Sequence, residues 1–140
     1  MPTRSATASW KGGLKGQGNF SGQTGLSGQY SASSRFENGP GSNPEELLAA
    51  AEAACFSMAL AFSLAKAGYE PTSVDTTAEC SIDKQGEGWK ITRIMLHTRA
   101  SVPNVDREKF QSIAEATKEG CPVSTALKGN VQIDLDAQLV

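Results

Sequence analysis

The chain has 140 residues, long enough for one core and too short for two full ones, and its 13 Lys and Arg against 15 Asp and Glu leave a formal charge of -2. So even a balance gives no reason to expect a nucleic acid or a membrane surface as partner. Three cysteines without a Cys-x-x-Cys pair and a single histidine, His97, are too few for a zinc site unless carboxylates or a second subunit supply ligands; no metal is expected.

The opening "MPTRSATASW" lacks the apolar core of a secretory signal, so the expected compartment is the reducing cytoplasm, where any disulfide is transient and chemical in purpose. Residues 5–36 are rich in Gly, Ser and Gln and predict a β-meander of short strands separated by glycine turns. Trp10, Leu14, Phe20, Leu26 and Tyr30 are its expected inward side chains. "YSASSRF" is its expected last strand, with Arg35 at the end.

A long helix is predicted over 44–67. Asn43 suits the N-cap, Pro44 the first helical position, Glu45 and Glu46 the positive end of the dipole, and Gly68 the stop. From Leu47 to Ala65 only Glu52, Ser57 and Ser63 interrupt the apolar residues, so the helix is greasy all round and needs cover on most sides. A membrane span is the rival reading. Glu52 inside the run and the weak hydrophobicity of the alanines argue against it.

The segment "SVDTTAECSIDKQ" alternates cleanly, with Val74, Thr76, Ala78, Cys80 and Ile82 on one face, and "QGEG" turns it into a second strand, giving a hairpin over 72–102. Helices follow over 106–128, the first capped by Asp106 and the second starting at Pro122, and a strand over 130–139 closes the chain. The order is α+β in a single domain, 1–140. A helix apolar on all sides is hard to cover in so small a domain, which predicts a homodimer with the long helix near its centre.

Chemistry rests on the thiols. Cys121, at the start of a helix, has the position that favours a thiolate, whereas Cys55 in mid-helix has only apolar burial, which opposes one. On that ground alone Cys121 is the reactive thiol and Cys55 filler; Cys80, on an uncharged strand face, is core. Arg35 would favour a Cys55 thiolate if the meander packs over the long helix, and Glu45 could hold its guanidinium by bidentate hydrogen bonds. Glu52, three residues before Cys55 and on the same helical face, would oppose it. His97 is read as a satisfied strand residue, and nothing in the glycine-rich region matches a phosphate cradle.

Two stretches together, "RFENGPGSNPEELLAAAEAACFSMAL" and "GCPVSTALK", resemble the two signature regions of the OsmC family of hydroperoxide reductases, and the likeness runs the length of the chain. "CPVS" is closer to the OsmC branch than to the organic-hydroperoxide-resistance branch. The resemblance implies an intertwined homodimer with long central helices enclosed by antiparallel sheets. It implies Cys55 as peroxidatic nucleophile, Cys121 as resolving thiol, Arg35 as the group that stabilises the thiolate and Glu45 as its anchor, with the partner subunit contributing to each site. Members of the family often carry a histidine where Glu52 stands. The implied reaction reduces organic hydroperoxides through a Cys55 sulfenic acid and a Cys55–Cys121 disulfide, with no cofactor and an external dithiol, lipoyl-type among the candidates, as reductant. Leu47, Phe56, Met58 and Leu60 are the expected apolar wall. The alternative is a non-catalytic stress-related domain that keeps the fold and binds a small ligand in the same crevice.

Overall fold

A computed structural model describes residues 1–140, which form two compact units, Met1–Leu47 and Leu48–Val140. The first holds a three-stranded antiparallel meander, β1 (Ala6–Lys11), β2 (Gln17–Gly22) and β3 (Ser27–Ser31). Not all its glycines serve turns. Gly18 and Gly28 lie within strands, and a Cβ there would run into the rings of Tyr30 and Phe20, so the glycines let these aromatics lie across the sheet.

Two expectations for this unit are corrected. "YSASSRF" does not continue as a strand: after β3 the chain turns into a short helix, α1 (Ala32–Phe36), which carries Arg35. The cause is local. Ser31 Oγ accepts from the Ser34 N–H at 3.1 Å and Ser34 Oγ accepts from the Ser31 N–H at 2.8 Å, a reciprocal capping box that starts a helix where strand propensity is weak. Nor do all the expected inward side chains of the meander turn in: Leu14 is 95%, Leu26 52% and Trp10 40% exposed, while Phe20 and Tyr30 are half-buried with their ring centroids 6.1 Å apart.

The long helix, α2 (Pro44–Lys66), is capped as its sequence demands: Asn43 Oδ1 accepts from the Glu46 N–H at 2.8 Å. At its end Gly68 takes φ +95°, the left-handed conformation that glycine adopts freely, and the Tyr69 N–H bonds back to the Leu64 carbonyl at 2.9 Å.

In the second unit β4 (Ser73–Gln85) and β5 (Gly88–Ser101) form the antiparallel hairpin, and β6 (Gln132–Leu139) joins β5 in parallel after α3 (Arg107–Gly120) and α4 (Pro122–Leu127). This sheet is therefore mixed rather than antiparallel, because two intervening helices carry the chain back to the end from which β5 began. Asp106 caps α3, accepting from the Lys109 N–H at 2.8 Å. Strand alternation sets the core: Ile94, Leu96 and Ala100 of β5 meet Phe110 and Ala114 of α3 and Phe56, Leu60 and Leu64 of α2, with Val74, Ala78 and Cys80 of β4 packed alongside. The α2 residues recur every fourth position and so form one stripe. Polar cover is also exchanged here, Ser57 Oγ donating to Thr76 Oγ1 at 2.7 Å.

Candidate active site

The short helix α1 and the first turn of α2 bring Arg35 and Glu45 together. Arg35 Nη2 donates to Glu45 Oε1 at 2.8 Å, and Arg35 Nε to the two carboxylate oxygens at 3.1 and 3.3 Å. This forked contact fixes the guanidinium plane, which a lysine could not reproduce. Glu45 is buried while the Arg35 side chain stays 35% exposed and lies over the Phe36 ring, 5.3 Å from its centroid. Ten residues apart, the two meet because the Ser31–Ser34 capping box folds "ASSRF" into a helix.

In the second unit Cys55 lies near enough to Cys121 to raise its proton affinity. Cys55, half-buried, sits on α2, and Cys121 at the junction of α3 and α4, where its N–H closes α3 on the Thr117 carbonyl and its carbonyl accepts from Thr125 at 2.9 Å to open α4. The sequence reading of Cys121 as an activated thiol is overturned. It is 2% exposed, and burial pushes its thiol up from its ordinary value of 9.0; two hydrogen bonds from Ser124 pull the other way, and Cys55 and Glu52 add to the rise. The six residues of α4 bring too little dipole to offset this.

Two further groups complete this arrangement. Glu52 is fully buried, on the stripe that continues through Phe56, Leu60 and Leu64. Ser124 Oγ donates to Glu52 Oε1 in a very short hydrogen bond and stands 3.1 Å from Cys121 Sγ, which itself lies 3.7 Å from the same carboxylate oxygen. Ser124 joins the site with no role expected from the sequence. Its signal was present in Cys-Pro-x-Ser, since a residue three positions after a helix-opening cysteine returns to the same face.

The expected apolar wall is also corrected. Phe56 and Leu60 are locked in the core and Met58 is 57% exposed, as the helical period sends them in different directions. Beside Cys121 there is instead an open groove of about 360 Å³ lined by Ala59, Ser63, Ile113, Thr117 and Pro122 among others. Cys80 is half-buried against the core. His97 is on the surface, its Nε2 2.7 Å from Glu79 Oε1 and its Nδ1 3.6 Å from Asp136 Oδ2.

A model of the family described as OsmC-like protein matches residues 37–136. The chain is 46% identical over 134 residues to the Peroxiredoxin OsmC of Escherichia coli, 94% of each chain being covered. It is 34% identical over 106 residues to the organic hydroperoxide resistance protein OhrB of Bacillus subtilis, covering 74% of this chain and 75% of that one. The crystal structure of that OhrB is similar with a TM-score of 0.71 at 29% identity, over 96% of this chain and 98% of the other. An OsmC-like protein from Mycoplasma pneumoniae reaches a TM-score of 0.78 at 15% identity, over 99% and 98% of the two chains, a likeness of fold alone.

Proposed function

The chain belongs to the OsmC-like protein family, and on that footing we propose that it is a cysteine-based peroxidase that reduces hydroperoxides, organic ones included, to alcohols in stress defence. The observation that supports the reading is the nearness of Cys55 to Cys121, close enough for one thiol to raise the proton affinity of the other.

Cys55 is the nucleophile. Its thiolate attacks the distal peroxide oxygen, the O–O bond breaks, and the alkoxide takes a proton and leaves as the alcohol while Cys55 becomes a sulfenic acid. Arg35, its plane set by Glu45, stabilises first the thiolate and then the negative charge developing on the leaving oxygen. In this scheme Arg35 and Glu45 are shared between subunits of a homodimer. Support for the dimer comes from the apolar side chains of α2 outside its buried stripe, Met58 at 57% and Phe62 at 67% exposed.

Cys121 then displaces the sulfenic hydroxyl to form the Cys55–Cys121 disulfide with loss of water. An external dithiol, of lipoyl type in this proposal, returns the enzyme to its dithiol form by exchange. The thiol chemistry requires no metal or bound cofactor. The cytoplasm, where dithiol reductants are maintained, is the proposed site of action. α2 is long and apolar enough to cross a membrane by length and composition, but its stripe through Phe56, Leu60 and Leu64 is occupied by the core.

Organic hydroperoxide consumption in the presence of dithiothreitol tests the proposal. Activity is expected in the wild type and lost, by 10³-fold or more as an order of magnitude for a nucleophile, in Cys55→Ser. Cys121→Ser is expected to accumulate a dimedone-reactive sulfenic acid. Equal turnover by Cys55→Ser refutes the scheme and leaves the ligand-binding alternative, which the carboxylate beside Cys121 favours.

A further inference from the structure

Glu52 is the group in the second unit that the peroxidase scheme does not use. The helical stripe on which it lies calls for another hydrophobe, yet a carboxylate stands there at 0% exposure. Burial of such a group is unfavourable unless hydrogen bonds or an opposite charge compensate it, and none of the ion pairs of the chain includes Glu52. One oxygen, Oε1, accepts from the Ser124 hydroxyl and the Cys121 thiol. The other, Oε2, is buried and without a partner, so it holds lone pairs that no structural hydrogen bond consumes. A carboxylate kept for packing or capping would not be left half satisfied against a thiol.

Resolution requires a base at this place. A thiol attacks a sulfenic acid as thiolate, but burial, the first and largest influence on Cys121, holds its proton on, and Cys55 and Glu52 add to that effect. Only 2% of Cys121 is exposed, at the edge of the groove that it helps to line, which limits direct deprotonation by hydroxide.

We propose that Glu52 is the proton acceptor for Cys121 in the disulfide-forming step, with Ser124 as the hydroxyl that positions the carboxylate and can relay the proton. The proposal rests on the peroxidase reading above. The Cys121 S–H bond breaks as its proton passes to the Glu52 carboxylate, directly over 3.7 Å or through Ser124 Oγ, which touches both groups. The electron pair left on Cys121 Sγ forms the bond to Cys55 Sγ while the Cys55 S–O bond breaks. The departing hydroxide takes the proton back from Glu52 and leaves as water. One sulfur is oxidised and the other reduced by the same amount, so no further oxidant enters, and the carboxylate ends as it began.

The titratable groups facing the Cys121 sulfur are Cys55 and Glu52 from α2, with the neutral Ser124 from α4. Ser124 also borders a small groove whose charged residues, Lys118, Glu119 and Lys128, pair with one another, Lys118 to Glu119 at 3.7 Å and Lys128 to Glu119 at 3.9 Å.

The test is a single turnover. Reduced full-length protein is mixed with one equivalent of cumene hydroperoxide and quenched at intervals into dimedone, and adduct and disulfide are followed by intact mass between pH 6 and 9. In the wild type the sulfenic acid passes to disulfide at a rate nearly independent of pH. In Glu52→Gln its lifetime is expected to lengthen roughly 100-fold, the lower end of what a positioned base supplies. The residual rate should climb about tenfold per pH unit as the Cys121 thiolate fraction grows. Glu52→Leu, which extends the apolar stripe and folds without a buried carboxyl, should resolve as slowly and with the same pH slope; a purely structural role for Glu52 would lower the rate equally at every pH. Resolution in both variants at the wild-type rate with a wild-type profile overturns the role of Glu52 and leaves the peroxidase standing. A wild type that forms neither adduct nor disulfide removes the peroxidase reading and this inference with it.

Discussion

A thiol between Gly120 and Pro122 is by position a thiolate candidate, and burial reverses that preference. Cys121 heads only six residues of helix, is almost fully enclosed and touches a carboxylate, so the neutral thiol is the form the fold stabilises. The consequence for stability has a definite sign. Because the folded-state value lies above the ordinary 9.0, the unfolded chain loses this proton first as pH rises, binds fewer protons than the folded chain there, and is favoured. The stabilising contribution is thus complete well below the ordinary value of 9.0, where the free thiol is protonated, and declines as pH climbs from there toward the folded-state value. Urea denaturation of reduced protein at pH 7, 8.5 and 10 should show a midpoint that falls more steeply in the wild type than in Cys121→Ala. Parallel curves would mean that the enclosure is not felt in solution. Arg35 and Glu45 make the complementary point: each has an ordinary local reading, surface cation and helix-start carboxylate, and only the forked contact between them distinguishes them.

At the scale of elements, the signals that held were those with a period or a cap. Asn43, Pro44 and Gly68 bound α2, Asp106 opens α3, and the alternation of β4 and β5 sends Val74, Ala78, Ile94 and Leu96 to one side. The element that was misread, "ASSRF", is short enough for one side-chain exchange between Ser31 and Ser34 to decide between strand and helix, and periodicity has nothing to act on over five residues. α2 shows the opposite limit. A helix apolar all round carries no periodic sign of which face packs within its own chain, and the structure selects Phe56, Leu60 and Leu64. Leu60→Ala, which empties a fully buried position in that stripe, should cost about 2–5 kcal/mol of unfolding free energy with an unchanged denaturant slope. A loss below 1 kcal/mol would show that this stripe is not the core of the unit.

For the molecule as a whole, the apolar side chains left in water are its clearest feature. Trp10 and Leu26 of the first unit and Met58 and Phe62 of the second are each at least 40% exposed in the single chain, and the proposed homodimer is what would cover them. Sedimentation of the wild type should give twice the mass of one chain, and Phe62→Glu, placing a charge on the uncovered side of α2, should shift it to monomer and depress peroxidase turnover. A wild type that sediments as a monomer at micromolar concentration refutes the dimer. Family, fold class and the bounds of the long helix and the hairpin were legible in the sequence by itself, because caps, periods and motif spacing act over a few residues. The nearness of Cys55 to Cys121, the forked bond of Arg35 to Glu45 and the enclosure of Glu52 against Ser124 were decided by tertiary structure, since proximity, burial and the proton affinity that follows from them depend on what distant segments bring to the same point.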